Sequence, residues 1–83
     1  MPYIPPDRRH ELRPACEPAI GPGELNYQIT SLIRQYLDSR WKVDYRALND
    51  VLGALEGAKA EFYRRVVVPF EEEKRAANGD VYS

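Results

Sequence analysis

Six of the seven prolines (Pro2, Pro5, Pro6, Pro14, Pro18 and Pro22) fall within the first 22 residues, and only Pro69 lies beyond them. Proline fixes φ, removes a backbone donor and pushes the preceding residue out of the α region. Residues 1–23 therefore read as an extended arm holding at most one helical turn. Asp7 is placed to cap such a turn over Arg8 to Leu12, and Pro14 stops it. Gly21-Pro22-Gly23 is a clear break. Tyr3, Ile4, Leu12 and Ile20 give the arm apolar groups to cover, which predicts that it lies over the helices that follow.

Regular structure is thus confined to the remaining sixty or so residues, and its period is helical. From Glu24, a carboxylate suited to the positive field of a helix N-terminus, Leu25, Ile29, Leu32, Ile33, Tyr36 and Leu37 recur at intervals of three and four. This predicts a first helix over 24–39. Ser39-Arg40-Trp41-Lys42-Val43 breaks the pattern and reads as a turn, with Trp41 closing one end of a helix pair.

A second, longer helix is predicted over 44–78, with Asp44 as N-cap and Asn78-Gly79 as stop. Tyr45, Leu48, Leu52, Leu55, Phe62 and Val66 are spaced by three and four, with Lys59 at the one missing step. Val51 and Ala58 widen this stripe to an arc of roughly 140°. It reads as core-facing. Pro69 predicts a kink or break near its position. The fold class is all-α: a helical hairpin with a long, proline-kinked second helix and an extended proline-rich N-terminal arm, forming one small domain over 1–83.

At 83 residues and 9.6 kDa such a chain buries only about 60% of the surface it exposes when unfolded. Small domains commonly add a disulfide, a metal or a second subunit. Cys16 is the single cysteine, so an intrachain disulfide is impossible. His10 is the single histidine, and His10 with Cys16 lacks the paired spacings of structural zinc, so no metal and no cofactor is expected. Another copy of the chain remains, and a homo-oligomer is predicted.

The charges exclude other partners. Twelve Lys and Arg against 13 Asp and Glu leave no positive surplus for nonspecific nucleic-acid binding. No apolar run approaches a membrane span. Met1 to Ile4, followed by Pro5-Pro6-Asp7-Arg8-Arg9, has no apolar signal region. With a free cysteine, this predicts a cytoplasmic protein.

The second helix carries another face. Gly53 and Gly57 each cost about 1 kcal/mol relative to alanine in a helix. Their small-x-x-x-small spacing admits close approach of another backbone. With Ala60 they lie roughly opposite the apolar stripe, and Arg46 and Arg64 share their line. Three occupants fit this face: solvent alone, another helix from a symmetry mate or the arm, or an anionic ligand held by arginine forks. Arg64 and Arg65 can equally pair with Glu61 or Glu72.

Catalytic motifs are absent. There is no Gly-rich phosphate loop, Ser-His-Asp set or Cys-His pair. Glu71-Glu72-Glu73 lacks the second Glu-x-x-Asp helix that Mg²⁺-dependent all-α pyrophosphohydrolases use, so the run reads as a solvated face. The chain is not expected to be an enzyme. Tyr27, Tyr36, Tyr45 and Tyr63 sit on or beside the stripes, while Tyr82 in the tail needs somewhere to dock, in the hairpin or in a neighbouring subunit.

Pro22-Gly23-Glu24-Leu25-Asn26-Tyr27-Gln28-Ile29-Thr30, Leu48-Asn49-Asp50-Val51-Leu52-Gly53-Ala54-Leu55-Glu56, Lys59-Ala60-Glu61-Phe62-Tyr63-Arg64-Arg65 and Asn78-Gly79-Asp80-Val81-Tyr82 together resemble a family of small bacteriophage and prophage proteins, a domain of unknown function. The resemblance spans nearly the whole chain and implies a phage setting without assigning any residue a role. By analogy, small helical phage proteins include oligomers that sequester nucleotide signals of host immunity and others that block host proteins. The resulting expectation is a non-enzymatic homo-oligomer binding an anionic, nucleotide-like ligand at a subunit boundary, in the host cytoplasm. Arg46 and Arg64 would supply charge, and Gly53 and Gly57 access. Gly53, Gly57, Ala60 and Tyr82 are the expected interface residues. The competing expectation is an interaction module whose glycine face docks a helix of a host or phage protein, with no small ligand.

Overall fold

The computed structural model describes residues 4–12 and 17–82; Tyr3 and Cys16 lie outside them. About three quarters of the described residues are helical and none is in a strand, so the protein is all-α. It divides into two units, Met1–Val43 and Asp44–Ser83.

In the first unit, α1 is the short helix Pro6–Glu11, with Pro6 at a position where its missing N–H costs nothing. Arg9 Nε donates to the Ile4 carbonyl at 2.8 Å, and Arg8 pairs with Glu11 across one turn. The next helix, α2, is Pro22–Asp38. The Gly21-Pro22-Gly23 break is its N-terminus: Gly21 is extended and Pro22 opens the first turn. Glu24 reaches back to accept the Ile20 N–H at 2.9 Å, satisfying a donor just outside the helix. Gln28 Nε2 donates to the Glu17 carbonyl at 2.8 Å. These two bonds tie residues 17–20 to α2. At its other end Ser39 Oγ donates to the Tyr36 carbonyl and the Arg40 guanidinium stacks 4.2 Å over the Tyr36 ring. Trp41, expected to close a helix pair, is instead 96% exposed. The polar Ser39 and Arg40 contacts finish this end of the helix.

The second unit is one long helical run. Asp44 is extended and accepts the Ala47 N–H at 3.0 Å, which starts α3, Tyr45–Phe62. A π segment, Tyr63–Val67, follows and passes directly into α4, Val68–Asn78. Phe62, Val67 and Val68 all keep right-handed helical angles, so Pro69 opens no gap. In a regular α-helix Pro69 would leave the Arg65 carbonyl without a partner and press its ring against that oxygen. Here the Val68 N–H reaches the Tyr63 carbonyl, five residues back, and the wider turn accommodates the ring just upstream of it. At 1.5 Å per residue, residues 45–78 extend about 50 Å.

Gly79, at φ 88°, ends the run with its N–H on the Arg75 carbonyl at 2.8 Å. Arg75 pairs with both Glu72 and Asp80, and Asp80 accepts the Tyr82 N–H at 2.8 Å. The backbone of the tail is thereby folded, while the Tyr82 side chain stands in solvent.

The apolar stripe of the second helix, read from sequence as core-facing, is open. Leu48, Leu52, Leu55, Phe62 and Val66 are between 39% and 61% exposed, and among the described residues only Ala47 is buried. No helix of the described residues is long and apolar enough to cross a membrane.

Candidate functional site

Helical spacing decides which side chains the second unit can gather. Arg46, Gly53, Gly57, Ala60 and Arg64 are separated by 7, 4, 3 and 4 residues, close to whole turns, so they form one line along α3 and into the π segment. The glycine pair lies in the middle. Each arginine sits seven residues away, about 10 Å along the axis.

At Gly53 the backbone is bare: among the described residues nothing beyond its own helix backbone lies within 4 Å of the place where a side chain would begin. A second helix or a flat ligand can approach the peptide surface there. Gly57, one turn on, is half-buried.

The arginines do not converge. Arg46 and Arg64 stand about 27 Å apart along the helix, so a single nucleotide on one copy cannot contact both. Arg64 is also committed locally, with its Nη2 donating to Glu61 Oε1 at 2.8 Å, and Arg65 approaches the other carboxylate oxygen at 3.3 Å. The hydrogen bond from Arg64, reinforced by the charges of Arg64 and Arg65, holds the Glu61 carboxyl below its ordinary range. The spacing of three and four residues announced these pairs. What the sequence did not disclose is that both arginines choose the same carboxylate, at the start of the π segment.

Tyr82, grouped with the glycines as an interface residue, lies beyond Gly79 and off their line. Its side chain is 97% exposed. Among the described residues no three His, Cys, Asp or Glu side chains gather to hold a metal ion; the His10–Cys16 combination involves a residue outside that set. The Arg75 link between Glu72 and Asp80 escaped sequence reasoning, because it depends on the backward turn at Gly79.

Comparison with known proteins bears on the chain as a whole. A family model for a domain of unknown function, DUF6899, matches residues 1–81. The chain belongs to the DUF6899 family. No curated protein and no solved structure matches it. Membership in DUF6899 assigns no catalytic, ligand or partner role to any residue described above.

Proposed function

We propose that this DUF6899 chain is a non-enzymatic binding module that works as a homo-oligomer, an accessory protein of the phage type that its sequence resembles. The observation that supports this reading is the open apolar stripe from Leu48 to Val66. A helix whose apolar side chains stay in water gains little from folding, since most helical stability comes from burying that face. Association of two copies supplies the missing burial. Light scattering at increasing concentration tests it: the mass should exceed the 9.6 kDa of one chain, and a monomer at every concentration overturns it.

The glycine line is the candidate surface for what the oligomer binds. Bare backbone at Gly53 supports close docking of a helix or a flat anionic ligand, with Arg46 on the same line of the helix. Because Arg46 and Arg64 are so far apart along one helix, a nucleotide-like ligand held by both needs more than one subunit. Isothermal titration against cyclic dinucleotides and ADP-ribose derivatives tests the ligand. Absence of heat from all of them, with assembly weakened by Gly53→Leu, would favour the docked helix instead.

A further inference from the structure

We propose that Asn78-Gly79 is a site of spontaneous covalent modification: the Gly79 nitrogen displaces the Asn78 side-chain amide, at a rate set by the Arg75 clamp over the end of α4. The proposal is independent of the self-association and the glycine line discussed above.

The sequence selects the residue. The chain has three asparagines, Asn26, Asn49 and Asn78. Asparagine is thermolabile, because the nitrogen of the next peptide can attack its side-chain carbonyl and close a five-membered ring. A side chain on the next residue hinders that attack. Tyr27 and Asp50 follow the first two asparagines, and only Asn78 is followed by glycine. Position agrees with this. Asn26 and Asn49 lie inside α2 and α3, whereas Asn78 is the exposed last residue of α4. Helix ends open at almost no cost in free energy. Among the described residues, nothing beyond its chain neighbours and helix backbone lies within 4 Å of where a Gly79 side chain would begin, so water reaches the reacting atoms.

The step balances with water as the sole co-reactant. A bond forms between the Gly79 nitrogen and Asn78 Cγ while the Cγ–Nδ2 bond breaks. The proton lost by the nitrogen passes through solvent to Nδ2, which leaves as ammonia. Water then opens the resulting succinimide at either carbonyl, giving aspartate or isoaspartate.

The closed structure opposes this reaction. A helical side chain leans toward the helix N-terminus, whereas the Gly79 nitrogen lies on the C-terminal side of Asn78. Its N–H is also held by the Arg75 carbonyl at 2.8 Å. Ion pairs keep the arrangement shut: Arg75 reaches Glu72 on α4 and, across Gly79, Asp80 Oδ2 at 3.2 Å. For Asn78 to leave its helical angles, Asp80 has to leave Arg75. In isoaspartate the main chain runs through the former side chain. The added methylene, and a new carboxylate at the negative end of the helix, prevent the Gly79 cap from re-forming, so the step frees the tail irreversibly.

Incubation of the full chain in warm neutral buffer, followed by intact mass and by fragmentation that distinguishes isoaspartate, tests this. Amide loss should occur at Asn78, faster in guanidinium chloride than in buffer, and Asn78→Gln should abolish it. Arg75→Gln and Asp80→Ala should each accelerate it roughly two- to fivefold, the effect of losing exposed ion pairs, with helicity by circular dichroism retained. Equal rates in wild type and both variants overturn the clamp. No conversion of the folded chain while the denatured chain converts fully overturns the site, and equal loss at Asn26 or Asn49 overturns its selectivity. In the purified isoaspartate product, the NMR coupling across the Gly79–Arg75 hydrogen bond should vanish; its survival overturns release of the tail.

Discussion

The Arg64 guanidinium donates to the Glu61 carboxylate at 2.8 Å, from the first turn of the π segment back to the last turn of α3. Arg65 shares that carboxylate at 3.3 Å. The pairs straddle the junction at which the backbone changes its hydrogen-bonding pattern. A residue placed by sequence in a ligand seat is thereby also engaged within its own helix.

Acid should loosen this junction. The folded-state pKa of Glu61 is lowered, chiefly by the hydrogen bond from Arg64. Its contribution is therefore complete above the ordinary carboxylate value of 4.5 and is lost as pH falls through the lower folded value. Wild-type helicity, followed by circular dichroism, should drop more steeply below that pH than the helicity of Glu61→Gln. Equal acid limbs for the two proteins would show that the pairs contribute nothing to the helix.

Gly53→Ala should stabilise the helix of the second unit by about 1 kcal/mol. Among the described residues an added methyl group meets nothing beyond its own helix backbone within 4 Å, so the propensity gain is what remains in a single copy. Thermal unfolding at low protein concentration measures it. A loss of stability that grows with concentration would instead reveal a neighbouring backbone packed on that face.

Much of the local structure was legible because its causes are local. The starting residues of α3, the glycine stop at Gly79 and the all-α class follow from capping chemistry and period. The π segment was not legible: Pro69 announces a disturbance, but whether the chain breaks, bends or widens depends on how several peptide groups share it. The exposure of the apolar stripe was also hidden. Period identifies which side chains belong to one face, and nothing in the period says what covers that face. The candidate site divides in the same way. The shared line of Arg46, Gly53, Gly57 and Arg64 could be read from spacing, whereas the choice of Glu61 by both Arg64 and Arg65 required the side chains.

Pro69→Ala should convert the π segment to regular α-helix. The Val68 N–H would move its bond from the Tyr63 carbonyl to that of Arg64, and α4 would rotate by about 100° relative to α3. Restoring an amide and removing the ring should raise helix stability by up to about 3 kcal/mol. Trans-hydrogen-bond couplings measured by NMR check the bond, and thermal unfolding checks the gain. A π segment that survives the substitution would show that Tyr63–Val67 is wide for a reason other than proline.

Trp41 should behave as a solvated indole. It is the only tryptophan in the chain, so its emission reports on one position, and at 96% exposure it has almost no packing to lose. Dilute protein should emit at the wavelength of free indole in water and be quenched fully by iodide, which the neighbouring Arg40 and Lys42 attract. Trp41→Ser should then change stability by less than about 0.5 kcal/mol. If assembly covers this turn, the emission will shift to the blue as concentration rises. The same substitution will then weaken the oligomer while leaving the helicity of the dilute chain unchanged, which separates a boundary role for Trp41 from a structural one.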